Sequence, residues 1–183
     1  MLGREPSREE FENVAYFVRT STFENKKVSF CLQAFNGPCP FLAMANVLLL
    51  RAKLHIKPGV DRLKSSHILT LIGDSMLNNL ATSQEEHVDE ILSHLRDLQY
   101  GLQVNCGFSD CRAFERNGGF RVFDLLNIKV VHGWIPDDVE TQSVLDSMTY
   151  NEASELVALA DEIQMEVRRL SVLCRHCFDP PQV

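Results

Sequence analysis

The stretch QAFNGPCPFLAMANVLLL, residues 33 to 50, sets a cysteine between two prolines directly ahead of a long apolar run. Asn36-Gly37 forms turns readily, and Pro38 and Pro40 each fix one φ, so the chain is forced round a stiff corner at Cys39. Pro40 suits the first position of a helix, where a missing N–H costs nothing. From Phe41 the run FLAMANVLLLRAKL has no Gly or Pro and carries apolar side chains on nearly every face, which predicts a helix in the middle of a core. Cys39 thereby stands at a helix N-terminus, where unpaired N–H groups and the helix dipole favour the thiolate. Gln33 ends a predicted strand, and its carboxamide plus the Cys39 backbone N–H can supply the two donors that an acyl-transfer oxyanion needs. The competing reading is an ordinary buried cysteine, a common fate of free thiols.

Upstream, residues 11–32 read as extended or mixed. In KVSFCLQ the residues Val28, Phe30 and Leu32 alternate with Ser29, Cys31 and Gln33, the period of a half-buried strand. Downstream, IKPGV is a loop, and Ser65 or Ser66 is placed to cap a helix carrying Ile68, Leu69, Leu71, Ile72 and Met76. A capping box, Ser83-x-x-Glu86, opens the next helix, with Val88, Ile91, Leu92, Leu95 and Leu98 on one face and Gly101 past its end. LQVNCGF predicts a strand with Leu102, Val104, Cys106 and Phe108 on one side, and GGFRVFDLLNIKVVHGWI a strand, a helical turn and a second strand. Thr149-x-x-Glu152 opens a long helix with an apolar stripe through Leu156, Leu159, Ile163, Val167 and Leu170. Helices, then strands, then a helix predict an α+β fold.

The 183 residues suffice for a single domain over 1–183, and 45% hydrophobic with 23% charged residues is a globular balance. A formal charge of −7 gives no electrostatic footprint for nucleic-acid phosphates, so no nucleic-acid partner is expected. The opening MLGREPSREE does not read as a secretory signal, and the ten-residue run FLAMANVLLL is too short to span a bilayer, so no membrane span is expected. A cytoplasmic or nuclear location follows, in which the six cysteines are reduced thiols.

With these residues in view, QAFNGPCPFLAMANVLLL resembles the Q-x-x-N-G-P-C-P-x-L-A signature of the MINDY family of deubiquitinases. GLQVNCGF, VFDLLNIKVVHGW and TYNEASELV resemble further family segments in the same order, so the likeness covers about residues 28–157. The resemblance implies a papain-like cysteine peptidase fold, here incomplete. In it a central apolar helix starts at the nucleophile and packs on a small mixed or antiparallel sheet with additional helices. It implies cleavage of isopeptide bonds in polyubiquitin of the proteasome-targeting linkage. Cys39 matches the nucleophile, Gln33 the oxyanion-stabilising residue, and Pro40 a loop that masks the cysteine. Val104, Trp134 and Tyr150 match positions of the ubiquitin-binding surface, although each also suits a core.

The resemblance also implies a general-base histidine in an N-H-F type stretch beyond the matched region, and residues 158–183 hold no such stretch. His132 and His176 are weak substitutes. The alternative function is therefore a catalytically inactive relative that keeps the ubiquitin-binding surface. CRHC, with Cys174 and Cys177, offers two ligands where a structural zinc needs four, so neither a metal nor another cofactor is expected. If the family's later strands carry the base, they also cover core, and this chain should then expose apolar surface.

Overall fold

The computed structural model describes residues 13–34, 40–78 and 87–177, with the side chains of 169–177 outside that description. By contact density the chain divides into two compact units, the first comprising residues 1–103 and 116–130, the second 104–115 and 131–183.

The first unit is an antiparallel sheet wrapped by helices, the α+β architecture that the sequence predicts. Strands β1 (Ala15–Phe23) and β2 (Lys26–Cys31) form a hairpin, paired from Val18↔Cys31 to Phe23↔Lys26. Its two-residue turn places Glu24 and Asn25 at φ 48° and 62°, the left-handed pair that matches the twist of the strands. Strand β3 (Arg62–Lys64) pairs antiparallel with the other edge of β1, giving the order β2-β1-β3. The sequence pattern does not reveal β3, which is three residues long.

Helix α1 (Pro40–Leu50) packs on β2 and buries Phe41, Leu42, Met44, Ala45, Leu48 and Leu49, as expected of a helix apolar all round. It ends at Leu50, and Ala52 in the left-handed region at φ 54° turns the chain away. Helix α2 (Ser65–Leu77) buries Ile68, Ile72 and Met76, and α3 (Val88–Asp97) buries Ile91 and Leu95. The expected capping box at Ser83 and Glu86 lies outside the described residues. Helix α4 (Gly118–Leu125) packs on α3 and buries Phe120, Val122 and Phe123.

Several expectations are corrected here. Ser65 is not a cap but the first residue of α2. Its buried hydroxyl donates to Gln99 Oε1 at 2.6 Å, a tertiary partner that outcompetes the local one. Cys31 is the buried residue of the β2 terminus, at 2% exposure, because α1 covers that side of the strand while Val28 and Phe30 are half-buried. Residues 118–125, expected as a strand, are helical. Asn117 caps them through Oδ1, which accepts from the Gly119 N–H at 3.1 Å, and Phe120 and Phe123 share a face at helical spacing.

The second unit holds α5 (Val139–Leu145), capped by the Asp138 carboxylate on the Thr141 N–H, and the long α6 (Tyr150–Cys177). The expected strand at LQVNCGF is reduced to two isolated bridges, Cys106↔Phe114 and Gly107↔Thr149. Its alternation fails as well: Asn105, Cys106 and Phe108 are buried while Val104 is 42% exposed. The α6 capping box forms as predicted, the Thr149 N–H and hydroxyl donating to Glu152 at 2.7 and 2.8 Å. Leu156, Leu159, Ile163 and Val167 of its stripe are exposed.

One polar contact within the first-unit core joins sheet and helix. Asn46, in the middle of apolar α1, accepts from the Cys31 N–H at 2.8 Å and donates to the Cys31 carbonyl at 2.9 Å. Replacing Asn46 by Ala strands both backbone groups, and each such group costs about 1–3 kcal/mol when it cannot reach water. Asn46→Ala is expected to lower the unfolding free energy by about that amount, read from the urea midpoint at unchanged slope.

Candidate active site

The described residues on either side of positions 35–39 are well anchored. Before them, β2 closes at Cys31 under the Asn46 clamp, and Leu32 donates its N–H to the Phe17 carbonyl at 2.8 Å. Gln33 follows one residue later and is exposed. After them, Pro40 is the first residue of α1, so the chain position of Cys39 is directly ahead of a helix that buries Phe41, Leu42, Met44, Ala45, Leu48 and Leu49. Cys39 itself lies outside the described residues. Pro40, which the resemblance places in a masking loop, is the first residue of α1, a position that its fixed φ and absent N–H favour.

The other cysteines are distinguished by their surroundings. Burial pushes the Cys31 thiol up to about 11 from the ordinary 9.0 and raises Cys106 in the same direction. Both therefore remain thiols at neutral pH, unsuited to attack a carbonyl.

The second unit carries the remaining predicted residues. Val104 is 42% exposed, Trp134 59% and Tyr150 46%, so none of the three is the core residue that it could have been. The Trp134 and Tyr150 rings meet edge to face, with centroids 5.6 Å apart and planes at 62°. Beside Val104, buried Asn105 donates from Nδ2 to Glu115 at 2.8 Å and accepts the Asn151 N–H at 3.1 Å through Oδ1. Asn151 is in the first turn of α6, whose N–H groups lack partners within the helix. The Tyr150 N–H donates to the Cys106 carbonyl at 2.7 Å. Residues 104–106 thus anchor the start of α6 and fix Tyr150. Donation from the Thr149 N–H, then from its hydroxyl, holds the neighbouring Glu152 carboxyl below the usual carboxylate range.

His132, expected on a strand, lies in an irregular segment. Its N–H donates to the Cys111 carbonyl at 2.9 Å, its ring meets Phe114 edge-on at 4.9 Å, and its Nδ1 accepts the Trp134 N–H at 3.1 Å. Nε2 is buried, with no hydrogen-bond partner among the described residues. One nitrogen is occupied and the other covered, so this histidine presents neither to a substrate. The side chain of His176 lies outside the described residues, as do those of Cys174 and Cys177.

Sequence reasoning missed Asn46, Asn105 and the contacts of His132. The signal available for the first two is a carboxamide among apolar residues, where an amide drawn away from water must find partners.

Comparison with known proteins follows this geometry. The sequence model of the MINDY deubiquitinase family matches residues 14–172, wider at both ends than the 28–157 likeness. Ubiquitin carboxyl-terminal hydrolase MINDY-1 of Bos taurus is 30% identical over 166 residues, 85% of this chain and 35% of that protein. The human protein of the same name is 28% identical over 166 residues, with the same shares covered. Ubiquitin carboxyl-terminal hydrolase MINDY-2 of Bos taurus is 30% identical over 162 residues, 82% of this chain and 26% of that protein. The chain spans about a third of the length of these curated relatives.

The buried Cys31 thiol carries a pH signature. Its folded pKa lies above the unfolded value, so its contribution to stability is complete below about pH 9 and is lost as pH rises from there through 11. Over that window the unfolding free energy of the natural chain should fall by up to about 2–3 kcal/mol more than that of Cys31→Ala, measured by urea titration at each pH.

Proposed function

Because the chain belongs to the MINDY deubiquitinase family, whose fold is that of a papain-like cysteine peptidase, we propose that it is a thiol hydrolase acting on polyubiquitin. The observation carrying this reading is the family match across residues 14–172, over a chain that starts its buried helix at Pro40, next to Cys39. Relatives named ubiquitin carboxyl-terminal hydrolase support the substrate class.

In the proposed reaction the Cys39 thiolate attacks the isopeptide carbonyl carbon. The oxyanion of the tetrahedral intermediate is met by the Gln33 side-chain amide and the Cys39 backbone N–H. The C–N bond breaks and the lysine amine leaves with the proton that the Cys39 thiol gave up; water then adds its OH to the thioester carbonyl to give the ubiquitin carboxylic acid, and its remaining proton restores the thiol. Val104, Trp134 and Tyr150 form the ubiquitin-docking surface. Exposed aromatics with a polar edge suit a binding surface, and Trp134 and Tyr150 already touch before any partner arrives. The proteasome-targeting linkage is the preferred substrate, the reaction needs neither metal nor cofactor, and the site of action is cytoplasmic or nuclear.

A second reading, a non-catalytic ubiquitin binder, is favoured by one observation: His132 offers no accessible ring nitrogen. A single experiment separates the two. Ubiquitin bearing a C-terminal vinyl electrophile should form one covalent adduct with the natural chain and none with Cys39→Ala. Gln33→Ala should slow chain cleavage by about 100- to 1,000-fold, the usual effect of losing one oxyanion donor. Polyubiquitin binding without adduct would establish the binder, and the absence of both would overturn either function.

A further inference from the structure

Trp134 stands in an irregular segment, is more than half exposed, and still faces Tyr150 in a defined edge-to-face geometry. The Trp134 backbone N–H is held by His132 Nδ1, two residues earlier. A side-chain acceptor on the N–H of residue i+2 is the geometry of an Asx turn, with an imidazole nitrogen where Asn would place Oδ1. The backbone at His132 is held by its own N–H, which donates to the Cys111 carbonyl, and the ring packs edge-on against Phe114.

Because Nδ1 accepts, the ring proton belongs on Nε2. That nitrogen is buried, and no described residue accepts from it. A side chain that only filled this space would be apolar, since an unpaired buried N–H is unfavourable and native structures keep few of them. Histidine therefore costs stability here and supplies one thing an apolar residue cannot, the acceptor for Trp134.

We infer that His132 is a positioning residue of the docking surface, an imidazole acceptor that presets Trp134 against Tyr150 for ubiquitin, and is not a proton-transfer group. The inference rests on the reading that this surface binds ubiquitin, and it adds how the surface is kept in shape before binding. Presetting an anchor residue lowers the ordering that binding would otherwise require.

Trp134 is the single tryptophan of the chain, so intrinsic fluorescence reports on it alone. In His132→Leu, which fills space without an acceptor, Trp134 anisotropy should fall and tetra-ubiquitin affinity weaken by about 3- to 10-fold, the worth of one net hydrogen bond. His132→Asn restores the acceptor and should hold both readouts within about twofold of the natural chain, as the Asx-turn equivalence requires. Equal damage in the Leu and Asn variants, or none in either, overturns the inference. Nitrogen chemical shifts of the His132 ring in the unmutated protein give an arm that requires no variant to fold. The Nε2–H tautomer is expected at neutral pH, and an Nδ1–H tautomer overturns the assignment. Should Trp134→Ala bind tetra-ubiquitin as well as the natural chain, the docking reading fails, while anisotropy and tautomer still decide whether His132 positions Trp134.

Discussion

The two hydrogen bonds between the Asn46 carboxamide and the backbone of Cys31 are the constraint on which the first unit depends. Strand β2 is an edge strand, and an edge leaves N–H and C=O groups facing away from the sheet. At Cys31 those groups point toward α1, where the Asn46 carboxamide meets them. A carboxamide carries one donor and one acceptor, so it substitutes for the missing strand. Because Asn46 lies on α1 and Cys31 at the end of β2, the same pair fixes helix to sheet in both direction and register. Gln33 leaves the strand two residues after the clamp, and Pro40 starts the helix six residues before it.

A comparable device operates in the second unit. Buried Asn105 bonds Glu115 and the first turn of α6, and the chain on either side carries Val104 and the Cys106 carbonyl that holds Tyr150. Both carboxamides join elements distant in sequence. This is economical chemistry: an apolar side chain can be packed in several ways, whereas a buried amide is satisfied in few.

The two units differ in what stabilises them. The first encloses a core running through each of its described helices and the sheet, whereas α5 buries none of its residues and Leu156, Leu159, Ile163 and Val167 of α6 are exposed. Placement of Trp134 and Tyr150 consequently rests on a few directional contacts, which leave both rings exposed.

By itself the sequence determined the elements whose signals are local. The all-round apolar run from Phe41, the Pro40 start and the Thr149–Glu152 capping box each depend on residues a few positions apart, and each appears where it was expected. The motif around Cys39 and Gln33 was likewise legible, since family likeness resides in contiguous residues. What only the tertiary structure decided depends on partners far along the chain. Ser65 bonds Gln99 and does not cap its helix. The alternation of LQVNCGF yields no strand because Asn105, bonded to Glu115 and the start of α6, is buried and Val104 is not. The α6 stripe reads as a packing face yet is left open, because period shows which side chains share a face and cannot show what, if anything, covers it.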